Sequence, residues 1–302
     1  MRRRQNKEYE GINMYAVKMY LKVIGLFYLI VEIPLIVISL IICNAFELEY
    51  LTVLKVILSV LIAGIPVSVL FLLIGTVKEY RSSYGKLNQE FKKELRTNGY
   101  TKRFFELSDR AIESRKEMDF VYFKDFIIYT ADYYNIIGNS EKALEICNLT
   151  SESMFTNKDL VFLDHGYSAL LYFGVMMEAY RNLGLRHNAE ELMERAKPFL
   201  DKNYKEEFFN FLSDHIYFTY SFLAEDYDSA RKYSDKLMSY QSDDSGKYFT
   251  KYFCKAELDK HFGDINGARD AMNSINMLSG KKHSPGIRFT YDRMMERLGL
   301  PD

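Results

Sequence analysis

Two long apolar runs constrain this chain more than any other feature. Val23–Cys43 (VIGLFYLIVEIPLIVISLIIC) holds 21 residues with one charge, and Val56–Val77 (VILSVLIAGIPVSVLFLLIGTV) holds 22 with none. A bilayer's hydrocarbon core of ~30 Å takes about 20 helical residues to cross. Each run is therefore expected to span a membrane, with residues 44–55 closing the pair into a helical hairpin. A signal peptide would have an apolar stretch of about 7–15 residues, shorter than the first run. A lipoprotein signal would need a small residue before Cys43, where Ile42 stands. Neither would account for the second run.

Positive charge sets the expected orientation. Arg2, Arg3, Arg4, Lys7, Lys18 and Lys22 precede the first run, and Lys78, Arg81, Lys86, Lys92 and Lys93 follow the second. The connecting loop has only Lys55. Cytoplasmic flanks carry the excess of Lys and Arg. The expected organisation is a basic cytoplasmic segment 1–22, transmembrane helices 23–43 and 56–77 joined by an extracytoplasmic loop 44–55, and a cytoplasmic region 78–302. The chain is thus expected to be a multi-pass protein of the cell (plasma) membrane with both termini cytoplasmic.

Glu32 is the one charge inside the first run. Counted from the cytoplasmic ends, Pro34 and Pro66 fall at similar depth, and Glu32 falls level with Ser68. Gly25, Glu32 and Ser39 share one helix face by their spacing of seven. On the second run Gly64, Ser68 and Gly75 make a small-residue surface that lets backbones approach. Glu32, Ser68 and Gly64 are therefore candidates for an intramembrane polar contact. It would hold the hairpin or a homo-oligomer together, or receive a partner's polar group, a proton or an ion. The residues leave these alternatives open.

Composition changes after the second run. Residues 79–302 carry 32 Lys/Arg against 36 Asp/Glu and are rich in Tyr and Phe. A mildly acidic, mixed-charge region is a poor footprint for nucleic acid. Cys43, Cys147 and Cys254 are odd in number and form no CxxC, which fits a reducing compartment better than a disulfide framework. The lack of Trp, with abundant Lys, Ile, Tyr, Phe and Asn, points to an AT-rich bacterial genome.

One pattern recurs in this region. An aromatic-rich helical run ends in Gly, Ala follows five residues later, and a second helical run continues. The pairs are Gly138/Ala143, Gly184/Ala189 and Gly263/Ala268, and Glu225 takes the Gly slot before Ala230. Ala slots are spaced by 46, 41 and 38 residues. Gly just past a helix takes the left-handed turn that ends it, and a following Asp, Asn or Ser caps the next helix. Helix pairs with one apolar face cannot bury it alone and stack into a solenoid. Pairs are expected near 87–98/101–115, 120–137/140–153, 160–183/186–200, 205–223/227–240 and 247–262/265–278. A capping helix near 286–298 opens after Ser284-Pro285.

These residues resemble tetratricopeptide repeats (TPRs) over roughly 87–298. Tyr134 and Tyr180 match the large residue four before the Gly, and Ala196 matches the small residue of the second helix. The repeats exceed 34 residues, the tryptophan–leucine–glycine opening is missing, and Pro198 approximates the consensus proline. The expected fold is all-α: two transmembrane helices, then a TPR-like α-solenoid of about five helix pairs plus a cap. The resemblance implies a concave groove that binds peptides or partner helices. The tyrosines recur at i,i+4 spacing, which suits packing between repeats, and Tyr129, Tyr133, Tyr172 and Tyr180 are the candidates for the groove.

No catalytic constellation is evident. The five histidines show no HExxH spacing, and P-loop, GxGxxG and GxSxG motifs are missing. Cys254 and His261 share a predicted helix face but fall short of a four-ligand metal site. Asp164-His165-Gly166 is similar to an active-site tripeptide only out of context and is most simply read as holding a helix-surface histidine, and Glu190, Glu191 and Glu194 with Arg186, Arg195 and Lys197 as a solvated helix face. The expectation is a membrane-anchored adaptor without enzymatic activity, cofactor or metal, binding a protein or peptide through the groove. The alternatives are an accessory subunit of a membrane transporter, contacting it through the hairpin, and an intracellular peptide sensor.

Overall fold

The computed structural model describes residues 10–46, 49–80, 83–118, 120–158, 161, 164, 166–202, 207–240, 245–279 and 285–300. The residues Arg2, Arg3, Arg4, Lys7, Arg81, His165, His283 and Ser284 lie outside these. The described structure is helical and divides into two compact units, 1–86 and 87–302.

The first unit contains α1 (Glu10–Ala45) and α2 (Tyr50–Tyr80), which pack against each other and carry Pro34 and Pro66 in their interiors. The connection 46–49 is so short that the two run antiparallel. The expectation of a multi-pass plasma-membrane protein with both termini cytoplasmic is corrected by the apolar segments described in them. Among the described residues one segment, Tyr28–Ala45, is long and apolar enough to cross a membrane. The described apolar part of α2, Tyr50–Ile62, falls short of that length.

The second unit is an array of helix pairs. It contains α3 (Ser83–Thr97, from Leu87 on), α4 (Lys102–Glu113), α5 (Phe120–Ile136), α6 (Ser140–Cys147) and the short α7 (Glu152–Phe155). It continues with α8 (Tyr167–Leu183), α9 (Arg186–Leu200), α10 (Glu207–Leu223), α11 (Tyr227–Ser239), α12 (Ser245–His261), α13 (Ile265–Ser279) and α14 (Pro285–Leu298). α5 packs on α6, α8 on α9, α10 on α11 and α12 on α13.

One turn geometry builds all four of these pairs. Gly138 (φ 81°), Gly184 (φ 67°), Glu225 (φ 61°) and Gly263 (φ 81°) are all left-handed. At each, the amide of the slot residue donates to the carbonyl three residues back, and the next amide donates to the carbonyl five back. This pairing satisfies carbonyls that the helix end would otherwise leave open. Asn139, Asp226 and Asp264 then cap the second helices, accepting from the amides of Lys142, Ser229 and Gly267. The four Ala slots, Ala143, Ala189, Ala230 and Ala268, are fully buried where each second helix lies against its first.

Two expected boundaries move. The second helix of the α5/α6 pair stops at Cys147 instead of reaching 153, because Asn148 caps it and α7 forms a separate turn. α8 begins at Tyr167 and not near 160, since Gly166 turns left-handed ahead of it. The Asp164 carboxylate accepts from the amides of Gly166 and Ser168 at 2.9 and 3.1 Å, which satisfies open amides at the start of α8.

Candidate functional site

First helices stand side by side in the array: α5 on α8, α8 on α10, and α10 on α12. Their shared inner face carries the charged and aromatic groups that concentrate in this unit. α14 packs on α12 and also reaches back to α5. A single helix meets both ends of the row because the array curls toward this face, as stacked repeats do through small rotations per unit.

The C-terminal half of α14 is anchored through a ring of four charges. Arg181 on α8 bonds Glu257 on α12 and lies 3.6 Å from Glu178 of its own helix. Arg297 of α14 bonds Glu178 at 2.7 Å with one terminal nitrogen and approaches Glu257 at 3.5 Å with the other. The Arg181 and Glu257 side chains are only 9% and 7% exposed. Burial opposes ionisation of Glu178, but Arg297 and Arg181 override it and hold the carboxyl below the usual carboxylate range. Each guanidinium also lies over a ring, Arg181 over Phe222 at 4.9 Å and Arg297 over Phe253 at 5.4 Å. Cation–π attraction adds to such a seat once water is excluded. His215 of α10 borders the ring, and burial, with Arg181 nearby, pushes it down to about 4, so it is neutral at pH 7. Oε2 of Glu257 is buried with no hydrogen-bond partner among the described residues.

The other end of the seat is aromatic. Phe289 of α14 stacks on Tyr133 of α5, with centroids 5.8 Å apart and planes at 18°, and meets Tyr100 edge-on at 5.9 Å. Tyr100 and Phe105 support Tyr133 at 5.0 and 4.7 Å. The Tyr100 hydroxyl donates to Asp132 at 3.3 Å, and burial raises the Asp132 carboxyl to about 6. Beyond Arg297, Leu298 and Leu300 bury themselves with Phe253, Ala256, Ala268 and Met272 of the last pair. Gly299, at φ 56°, ends α14 with the same hydrogen-bond signature as the repeat turns.

Of the four tyrosines singled out from the sequence, Tyr133 lies under α14. Tyr172 is buried and stacks on Phe155 of α7 at 4.3 Å, inside the packing between repeats. Tyr129 lies 6.4 Å from Phe91 and hydrogen-bonds Tyr167, with its hydroxyl raised by burial to about 12. Tyr180 is partly buried, and burial raises its hydroxyl too. Sequence reasoning passed over Glu178, Arg181, Glu257, Arg297 and Phe289. The one available signal was the Glu178/Arg181 pair, the only charges within the otherwise apolar and aromatic α8.

In the first unit, the Glu32 side chain is buried against Gly64: a Cβ built on that glycine would fall 1.1 Å from Glu32 Oε1. Neither carboxyl oxygen has a hydrogen-bond partner among the described residues. Tyr28 closes the same interface by donating to the Leu61 carbonyl at 2.7 Å. The side chain of Ser68 lies outside the described residues. Cys254 is buried in the α10/α11 core, and His261 stacks on Tyr227 at 3.9 Å. No cluster of three metal-ligating side chains occurs among the described residues.

Compared with protein-family models, with curated proteins and with solved structures, the chain matches none.

Proposed function

We propose that the chain is an adaptor whose TPR-like unit binds a helical segment of a protein partner on its inner face. One observation carries this reading: a helix is already seated there, the chain's own α14, held at Tyr133, Glu178 and Glu257. Helix-in-groove recognition works through a few anchors at helical spacing, which is how α14 is held. The groups at the seat, two carboxylates, a guanidinium and aromatic rings, suit recognition of a helix. The exposed apolar residues Leu29, Ile30, Ile33, Ile38 and Ile41 of α1 support contact of that helix with lipid.

A photo-crosslinking residue at position 133, in the full chain in its native cells, tests the reading. The control position is Glu194, exposed on the second helix α9. Capture at 133 and not at 194 of one protein, through one mapped segment, is the expected result. Crosslinks at 133 that lead only to α14 would refute it, as would turnover of a metabolite that depends on inner-face residues.

A further inference from the structure

We propose that Glu178, Glu257 and Phe253 form an arginine-reading site that Arg297 fills in cis, and that the partner displaces α14 with a helix carrying an aromatic ring and, eight residues later, an arginine. The inference rests on the adaptor reading and specifies the partner's chemistry.

Charge decides the first half. With α14 seated, two carboxylates face two guanidinium groups. Were a helix without a cation to replace α14, Glu178 and Glu257 would face Arg181 only, a net negative charge left buried beneath it. An uncompensated buried charge is strongly unfavourable. Any helix that takes this place must therefore bring a cation to the same point. The geometry selects guanidinium over ammonium: the two terminal nitrogens of Arg297 address two different carboxylates, and its plane lies over the Phe253 ring. A lysine supplies one point charge and cannot fork between two acceptors. Glu257 Oε2, buried and with no hydrogen-bond partner among the described residues, leaves one more acceptor on this carboxylate.

Helix geometry fixes the second half. Phe289 and Arg297 are eight residues apart, about 12 Å along a helix and close to one face. The Tyr133/Tyr100 rings and the Glu178/Glu257 pair are thus a matched pair of receptors at that separation. The side of α14 turned away from the seat carries exposed pairs such as Arg288–Asp292, which a replacing helix need not reproduce.

The test uses a fluorescent peptide with the sequence of residues 285–300 and the full-length chain, read by anisotropy. Wild-type protein, with its seat filled in cis, should bind the peptide weakly. Phe289→Ala/Arg297→Ala protein, with its own α14 weakened, should bind at least tenfold tighter. Replacing the arginine in the peptide by glutamine should cost at least tenfold, and by lysine several-fold. A peptide that binds the double variant no better than wild type, or equally well without its arginine, overturns the proposal. Circular dichroism confirms that the double variant is folded. Independently, Glu178→Gln/Glu257→Gln protein should lose the preference for arginine over glutamine in the peptide, and retention of that preference would also overturn it. The two readings fail separately. Capture at position 133 of a partner segment without arginine defeats this inference and leaves the adaptor standing. Arginine-dependent peptide binding with only α14 captured in cells defeats the adaptor and leaves the arginine seat.

Discussion

Glu225 is the sharpest test of how the helix pairs are built. It holds φ 61° in a slot that three other pairs fill with glycine, at φ 81°, 67° and 81°. An L-residue in the left-handed region costs about 1–2 kcal/mol. Glycine removes that cost but widens the unfolded ensemble, which takes back about 0.4–1 kcal/mol. Glu225→Gly should therefore stabilise the helical-repeat unit by about 0.5–1 kcal/mol. The reverse change isolates the same quantity, because an added Cβ at Gly138, Gly184 or Gly263 would meet no atom within 4 Å. With sterics removed from the comparison, Gly184→Ala and Gly263→Ala should each destabilise by about 1 kcal/mol through the backbone alone. Urea unfolding followed by circular dichroism reads these differences as shifts in midpoint at constant slope. If Glu225→Gly destabilises, or if the two alanine variants are neutral, the shared turn does not govern pair geometry.

Three further outcomes follow from particular contacts. Arg181→Met should cost about 3–5 kcal/mol by stranding buried Glu257, clearly more than Arg297→Met at the more exposed end of the ring; equal losses in urea unfolding would contradict the burial order. In the first unit, Gly64→Ala should disrupt the α1–α2 contact by driving a methyl into the Glu32 carboxyl, and Glu32→Ala should suppress that effect in a double-mutant cycle; strictly additive melting shifts would rule the contact out. His215, lowered from 6.5 to about 4, destabilises the fold as pH falls through that window, because the unfolded chain takes up the proton first. Asp132, raised from 3.8 to about 6, adds stability that is full below 3.8 and lost as pH rises through 6. The two nearly cancel between pH 4 and 6, so Asp132→Asn should unmask a loss of up to about 1.4 kcal/mol per pH unit on acidification; an unchanged midpoint at pH 4.5 relative to pH 7 would contradict this.

The features legible in the sequence are those set locally. Gly138, Gly184 and Gly263 end helices because of their own φ preference, and Glu225 could be placed in the same slot because Asp226 and Ala230 follow in register. Ala143, Ala189, Ala230 and Ala268 could be named as packing points because helices approach only over small residues. Counting residues in from the ends of two antiparallel helices set Glu32 level with Ser68, whereas the carboxyl lies against Gly64, one turn away on the same small-residue surface. The seat of α14 had no such local mark. Arg297 and Glu178 are 119 residues apart, and their meeting depends on the summed rotation of the intervening repeats.

An ionic seat for α14 is not what stability alone would select. Buried charges give up hydration, and replacing such a group with well-packed apolar residues is often neutral or stabilising by about 1–4 kcal/mol. The apolar anchors Leu298 and Leu300 already hold the end of α14 against the last pair. If the four charges served only to fasten this helix, Glu178→Leu, Arg181→Met, Glu257→Leu and Arg297→Met together should change nothing except stability. If they specify what may occupy the inner face, the quadruple variant should remain folded and at least as stable in urea, while its peptide binding becomes indifferent to arginine. Charge complementarity rejects wrong occupants by leaving their partners unpaired, which an apolar surface cannot do. A quadruple variant that keeps its preference for an arginine-bearing peptide would show that the discrimination lies elsewhere, with the Tyr133–Tyr100 end of the seat as the next place to look.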